Sequence, residues 1–104
     1  MLEEDCANYA KEIMRVLRPG GTAAVSTYLH TSPSEGQAHS FAERVGAAYV
    51  EYPEVPTKLV SYEFQTFERW FEGGDVRPVR GRWRRDGSEE IAEWQDWVVV
   101  RVSA

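Results

Sequence analysis

The chain contains few of the residues that covalent cross-links and metal clusters require. Cys6 is the only cysteine among 104 residues, so we predict neither a disulfide within the chain nor a cysteine-rich metal site. No apolar run approaches the ~18 residues of a membrane-spanning helix, and the acidic stretch MLEEDCANYAKE lacks the apolar core of a secretory signal. These absences predict a cytoplasmic protein that is not inserted in a membrane.

Recognisable catalytic signatures are absent as well. The sequence has no HExxH, CxxC, P-loop or Ser-His-Asp pattern and no GxGxxG loop, so it gives no support to hydrolase or kinase chemistry. The glycine pairs at 20–21 and 73–74 follow predicted helices, where Gly-Gly is typical of a helix stop. His39 has no partner at a metal-ligand spacing, so no metal site is predicted.

The residues that are present fit one globular domain with an uneven charge distribution. The chain is 42% hydrophobic and 28% charged, with a net charge of −5, which is ordinary for a folded domain of this size. Five of the 12 basic residues lie in a stretch without acids: Arg77, Arg80, Arg82, Arg84 and Arg85. This stretch is either a solvated hairpin end or, with Trp83 as a stacking surface, a nucleic-acid contact. A nucleic-acid binder usually presents a wider basic face, so we do not expect a nucleic-acid partner.

The N-terminal part of the chain predicts a helix, a tight turn and a strand. Apolar residues recur at helical spacing and indicate a helix over residues 3–18. They are Leu2, Cys6, Tyr9, Ile13 and Leu17. Pro19 cannot continue the helix, and Pro-Gly at 19–20 suits a type II turn. Residues 22–29, TAAVSTYL, predict a strand, and their small, apolar character favours burial on both faces of a parallel sheet.

An insert and a second helix follow. The insert spans residues 30–60, and a short helix is suggested within it by Phe41, Val45, Ala48 and Tyr49. The second helix is predicted over residues 61–72, with Ser61 as its N-cap. Its apolar stripe is Phe64, Phe67 and Phe71.

Two strands are predicted at the C-terminal end, over residues 76–83 and 94–102. Pro78 favours either an edge position or a bulge for the first of them. A short loop containing Asp86-Gly87 joins the two strands, so we expect them to pair antiparallel.

Three stretches of the chain together resemble one family. EIMRVLRPGGTAAVSTYL is similar to the segment of class I S-adenosylmethionine-dependent methyltransferases (methyltransferase type 11-like) in which a helix ends in a VLRPGG turn and enters the fifth strand. VSYEFQTFERWFEGGDVRPVRGRW resembles the helix, glycine and sixth strand that follow, and WQDWVVVRV resembles the seventh strand, which inserts antiparallel. In one branch of small-molecule methyltransferases a G-x-W and a later Q-D occupy these two strands. Here they are Gly81–Trp83 and Gln95–Asp96.

The resemblance implies an α/β fold over residues 1–104, a partial Rossmann-like methyltransferase sheet of about three strands with two or three helices. S-adenosylmethionine is the cofactor that the family implies, and a small molecule is the acceptor. The family's cofactor site is built by an N-terminal half that has no counterpart here, so no cofactor-binding residue is assigned. We therefore expect the chain to begin midway through such a fold, to shape the acceptor side, and not to be catalytic alone.

The missing half has a physical consequence for the strand at 22–29. Its edge away from the C-terminal hairpin would expose unpaired N–H and C=O groups. We expect this edge to pair with a complementary N-terminal half or with a second copy of the chain. An alternative is a non-enzymatic interaction module that completes a partner's sheet by strand addition.

Five residues are candidates for contact with the acceptor: Tyr28, His30, Trp83, Gln95 and Asp96. Tyr28 and His30 lie at the end of the first strand, and open α/β sheets bind ligands outside the carboxyl ends of their strands. His30 is also a candidate general base, and a solvated histidine is the alternative. The resemblance implies a substrate pocket for the other three, whereas an aromatic on a strand and a polar pair at a strand start are the simpler interpretation. Cys6 lies on the helical apolar stripe, which predicts a small buried hydrophobe and not a nucleophile.

Overall fold

A computed structural model describes residues 3–30, 39, 41–52, 54 and 59–103. Its elements are α1 (Glu3–Val16), β1 (Thr22–Leu29), β2 (Glu43–Val45), β3 (Ala48–Val50), β4 (Val60–Tyr62), α2 (Phe64–Trp70), β5 (Asp75–Val79) and β6 (Asp96–Arg101). The strands form a six-stranded mixed sheet in the order β2-β3-β4-β1-β6-β5. The predicted α/β class is confirmed, whereas the expected number of about three strands is too low. Neither helix in these ranges is long and apolar enough to cross a bilayer.

One half of the sheet consists of β1, β6 and β5, and it has the predicted pairing. β1 has the predicted bounds, and β6 pairs with it antiparallel from Thr22↔Arg101 to Thr27↔Asp96. β6 also pairs antiparallel with β5, so it lies between two strands that both run in the opposite direction. β5 is an edge strand and contains Pro78, which is one of the two predicted alternatives.

The RPGG turn connects α1 to β1 and is hydrogen-bonded to the residue that follows β6. α1 ends at Val16, two residues before the predicted end. Gly20 adopts φ +80°, a value that favours glycine, and its N–H donates to the carbonyl oxygen of Val102 at 2.8 Å. The Gly21 N–H donates to the Arg18 carbonyl at 2.7 Å. The turn therefore fixes where β1 enters the sheet.

The prediction of a short helix within residues 41–49 is wrong. β2 and β3 form an antiparallel hairpin in which Val45 pairs with Ala48. Gly46 adopts φ +61°, as the tight turns of hairpins require. Ala48 and Val50 are buried on the same side of β3, so the segment follows a period of two. The spacing of Phe41, Val45 and Tyr49, four residues apart, suggested a helix instead of this alternation.

The second helix is shorter than predicted because Ser61 belongs to β4. β4 pairs antiparallel with β3 and parallel with β1, and Ser61 is fully buried between those strands. α2 begins at Phe64, with Glu63 in the N-cap position and no side-chain cap hydrogen bond. The predicted N-cap role of Ser61 is therefore wrong.

Both helices pack against the same face of the sheet. The main core joins Ala10 of α1 and Phe67 and Phe71 of α2 to Val98 and Val100 of β6. The predicted aromatic stripe of α2 is thus part of the core. Burying side chains of this size contributes on the order of 1.5–3 kcal/mol each.

The prediction that β1 is buried on both faces is wrong. Thr22, Ala24 and Ser26 are exposed, whereas Val25 packs against the main core. In the described part of the chain the helices cover only the face that carries Val25. Small side chains are tolerated on buried and on exposed faces of a sheet. Their presence in β1 therefore could not show that one face of this strand is exposed.

Among the described residues, β1 has a strand partner on its β4 side only at its last two positions. Its register with β4 is Tyr28↔Ser61 and Leu29↔Tyr62, so among the described residues 22–27 face no strand on that side. The expectation of an open edge is therefore wrong for the last two residues of β1, which β4 covers, and it stays a prediction for residues 22–27.

Candidate functional site

The Asp96 carboxylate is the centre of a buried hydrogen-bond network at the end of β1. It is fully buried. Its Oδ2 accepts from the Leu29 N–H at 2.8 Å and from the Trp83 indole N–H at 2.8 Å, and its Oδ1 accepts from the Gly81 N–H at 2.8 Å. The Arg84 guanidinium donates to both oxygens, at 2.8 and 2.9 Å. The carboxylate thus joins β1, β6 and the segment that follows β5.

This network gives the G-x-W and Q-D motifs a physical role in the fold. Gly81 and Trp83 both donate to Asp96, and a Cβ at Gly81 would lie 2.5 Å from the Trp94 carbonyl oxygen. Because residues 80–83 turn toward Asp96, β5 ends at Val79, four residues before the predicted end.

Arg84 is neither part of a solvated hairpin end nor available for a nucleic-acid contact, because its side chain is buried and paired with Asp96. It also lies over the Trp83 ring, with its Cζ 4.7 Å from the ring centroid. Trp83 and Asp96 have no exposed surface, and their contact with an acceptor stays a prediction.

Tyr28 belongs to an aromatic cluster beside this network. Its ring centroid lies 5.4 Å from that of Phe41 and 5.5 Å from those of Trp83 and His39. Burial raises the pKa of the Tyr28 phenol above its ordinary value. The His39 Nδ1 also lies 3.2 Å from Glu51 Oε2, within hydrogen-bond distance.

A polar cluster lies where the parallel strands β1 and β4 end. The His30 ring stacks on the Tyr49 ring, with centroids 3.5 Å apart and planes 7° apart. His30 Nδ1 lies 3.3 Å from the Ser61 hydroxyl oxygen. The Tyr49 hydroxyl donates to Glu63 Oε1 at 2.8 Å, which raises the pKa of the Tyr49 phenol. This arrangement matches the place where open α/β sheets bind ligands.

The charge state of His30 follows from its surroundings. Burial lowers the pKa of His30 below its ordinary value, and the Glu63 carboxylate opposes that shift. A lowered pKa keeps the imidazole neutral near pH 7. A neutral imidazole has a lone pair on one nitrogen and is able to accept a proton.

Gln95 lies at a separate, largely apolar cleft of about 270 Å³ that runs beside the free edge of β1. Residues from both faces of β1 line it, among them Val25 and Tyr28. The other side is formed by α1, α2 and β4, with Cys6 and Trp70 among the lining residues. Cys6 is half-buried there, with its sulfur 3.7 Å from the Tyr62 hydroxyl, so it is less enclosed than predicted.

Gly20, Gly21 and Gly74 serve the fold of the chain itself. A Cβ at Gly74 would meet Val100 Cγ1 at 2.8 Å, so this glycine serves packing against β6. The N–H groups of Gly20 and Gly21 bond to carbonyl oxygens of the chain itself. A nucleotide-type cofactor needs backbone amides that point to its polar groups, and these amides point elsewhere. Gly20 and Gly21 therefore supply no free amide for such a cofactor. The described residues contain no cluster of three His, Cys, Asp or Glu residues suited to a metal.

Comparisons with protein-family models, curated proteins and solved structures find no match to this chain. Of the predicted site residues, Tyr28 and Trp83 are in ring contact and Trp83 bonds to Asp96. His30 and Gln95 lie in the polar cluster and the cleft. Sequence reasoning missed the three partners of His30, which are Tyr49, Ser61 and Glu63. The alternation in β3 was the available signal, and it brings Tyr49 beside Ser61.

Proposed function

We propose that this chain supplies the acceptor-substrate side of an S-adenosylmethionine-dependent methyltransferase fold and does not bind that cofactor by itself. The supporting observation is the position of β6, which lies antiparallel between β1 and β5. The sequence resemblance implies this order for the last three strands of that fold. A last strand inserted antiparallel between two earlier strands is a restrictive arrangement, because consecutive strands usually lie side by side.

In this proposal the acceptor binds at the carboxyl ends of β1 and β4. Tyr28 is the penultimate residue of β1, His30 follows that strand, and Glu63 follows β4. The chain's contribution is to bind and orient the acceptor, since alignment of two reactants supplies a large part of the rate in bimolecular transfers. The cofactor-binding part comes from polypeptide outside these 104 residues, in the same chain or in a partner.

Complementation tests this proposal. The chain is mixed or co-expressed with the N-terminal, cofactor-binding half of a class I methyltransferase, and S-adenosylhomocysteine formation is measured with a panel of small alcohols, phenols and amines. We expect product from the mixture and none from either half alone. Turnover by the isolated 104-residue chain contradicts the proposal, and so does a well-folded mixture that forms a 1:1 complex without turnover on any acceptor.

A second candidate function is strand addition without catalysis, and the free edge of β1 favours it. In the described part of the chain, residues 22–27 have unpaired backbone groups beside the apolar cleft. Val25→Lys puts a charge at the cleft, whereas Ala24→Lys, on the exposed face of the same strand, is the matched control. If β1 pairs with a second copy, light scattering shows a concentration-dependent dimer that only Val25→Lys abolishes. A strict monomer at all concentrations excludes self-pairing.

A further inference from the structure

The Ser61 hydroxyl has one proton and two neighbours that compete for it. It lies 3.4 Å from the Tyr49 carbonyl oxygen and 3.3 Å from His30 Nδ1. A carbonyl oxygen only accepts, whereas an imidazole nitrogen donates or accepts according to its tautomer. Both contacts are hydrogen bonds only if Ser61 donates to Tyr49 and His30 Nδ1 carries a proton that it donates to Ser61. The opposite assignment leaves two acceptors facing each other.

We propose that Ser61 holds His30 as the Nδ1–H tautomer, so that Nε2 is a proton acceptor for a hydroxyl or amine group bound where β1 and β4 end. In the described part of the chain, Nε2 has no hydrogen-bond partner. The proton step is an ionisation in which the ligand X–H bond breaks, its electron pair stays on X, and the proton bonds to Nε2. His30 is then the catalytic residue, and Ser61 is a positioning residue.

The rest of the polar cluster fixes the imidazole in place. The His30 backbone N–H donates to the Tyr62 carbonyl at 2.8 Å, and the Tyr49 ring holds the imidazole plane from one side. Tyr49 is held in turn by the hydrogen bond from its hydroxyl to Glu63. The Arg44 Cζ lies over the Tyr49 ring, 5.6 Å from its centroid. A base whose ring nitrogen and plane are both fixed aims its lone pair in one direction, which general base catalysis requires.

The class of ligand follows from this chemistry. A base adds nothing for an acceptor that is already a free nucleophile, so the site fits an alcohol, a phenol or a protonated amine. This inference rests on the proposed function only for the methyl transfer that follows deprotonation of the acceptor. The tautomer and the basicity of Nε2 are independent of it and are measured without any cofactor.

The test uses the whole chain labelled with ¹⁵N in its two histidines, His30 and His39. Long-range ¹H–¹⁵N spectra at pH 8 report which ring nitrogen of each is protonated, and a His30→Gln sample assigns the signals. We expect His30 to carry its proton on Nδ1, and we expect Ser61→Ala to move it toward the Nε2–H form that imidazoles favour in water. The His39 signals are the internal control and should not change. A wild-type His30 protonated on Nε2, or a tautomer unchanged in a folded Ser61→Ala chain, overturns the inference.

A second measurement probes Nε2 without any substitution. Diethyl pyrocarbonate reacts with neutral imidazole nitrogens, and peptide mass spectrometry locates the modification. We expect His30 to react and to keep its reactivity at pH 6, where free histidine is largely protonated. A folded chain whose His30 resists the reagent contradicts an available Nε2. If complementation fails while His30 shows the expected tautomer and reactivity, the methyltransferase proposal is refuted and the inference about His30 stands.

Discussion

Arg84 and Asp96 form a bidentate ion pair in the interior of the domain, with nitrogen–oxygen distances of 2.8 and 2.9 Å. The Arg84 side chain also donates to the Leu29 carbonyl at 2.8 Å, while Asp96 accepts from the Leu29 N–H. Both backbone groups of the last residue of β1 are therefore satisfied by this pair. The position of the end of β1, and therefore of His30 that follows it, depends on this ion pair.

Asp96→Asn is expected to cost about 3–5 kcal/mol of unfolding free energy, because it leaves the Arg84 cation buried without its anion. Small domains have ~5–15 kcal/mol in total, so the loss is a large part of the stability. Urea unfolding followed by circular dichroism measures it.

The control for that substitution is an exposed ion pair in the same sheet. Arg77 and Asp75 interact at 3.2 Å on the surface of β5. Asp75→Asn should cost less than ~1 kcal/mol, as surface pairs generally do. Similar losses for the two variants would contradict the structural role assigned to Asp96.

Gly81→Ala is expected to destabilise the domain by about 1–3 kcal/mol, since a Cβ there would overlap the backbone of Trp94 and Gln95. Gly87→Asn is the matched control. A Cβ at Gly87 meets nothing within 4 Å, and asparagine tolerates its positive φ. The melting temperatures of both variants decide the matter, and a neutral Gly81→Ala would mean that this close approach is absent in solution.

The pKa shift of His30 predicts a pH dependence of stability. Its pKa is lowered in the folded chain, so the unfolded chain binds a proton first as the pH falls. The stability from neutral His30 is therefore complete above the unfolded value of ~6.5 and is lost as the pH falls below it, through the folded pKa. Urea midpoints at pH 5 to 8, compared between wild type and His30→Gln, isolate this contribution. A wild-type profile parallel to that of His30→Gln would contradict it.

Glu63→Gln should lower the pKa of His30 further, because the carboxylate is the group that opposes the shift. Long-range ¹H–¹⁵N histidine spectra recorded over a series of pH values measure this directly. Glu68→Gln on the exposed side of α2 is the control and should leave the His30 titration unchanged.

Cys6 provides a reporter for the cleft, since it is the chain's only cysteine and lines that space. Its alkylation by iodoacetamide should slow when a cofactor-binding half pairs with β1 and covers the cleft. In a Val25→Lys chain the protection should disappear, whereas Ala24→Lys should retain it. Equal alkylation rates with and without the added half would show that pairing does not occur at this edge.

The sequence predicted those parts of the fold that depend on local pattern. The bounds of β1, the antiparallel pairing of β5 and β6 and the edge position of Pro78 follow from strand pattern, loop length and proline chemistry. The hairpin of β2 and β3 was missed because three-residue strands show too few alternating positions. The apolar spacing of four from Phe41 to Tyr49 therefore favoured a helix. Ser61 was assigned as an N-cap because the local sequence does not reveal that β4 ends just before the helix.

The candidate site was predictable to a lesser degree. Tyr28 and His30 were identified from their position at the end of a strand, which is a local property. The partners of His30 lie 19 to 33 residues away on β3, on β4 and just after β4, and only the sheet order brings them together. Arg84 looked like one basic residue among five, and nothing in its neighbours distinguishes the one that is buried against Asp96.

The central claim is that this chain supplies the acceptor side of the fold and does not bind S-adenosylmethionine by itself. The most direct test is a calorimetric titration of S-adenosylmethionine into the isolated chain and into its mixture with a cofactor-binding half. The proposal places the cofactor-binding part outside these 104 residues, and the Gly20 and Gly21 amides bond to carbonyl oxygens of the chain itself. We therefore expect no binding heat for the chain alone and saturable binding for the mixture that exceeds that of the added half. Binding to the isolated chain in the micromolar range or tighter would contradict it.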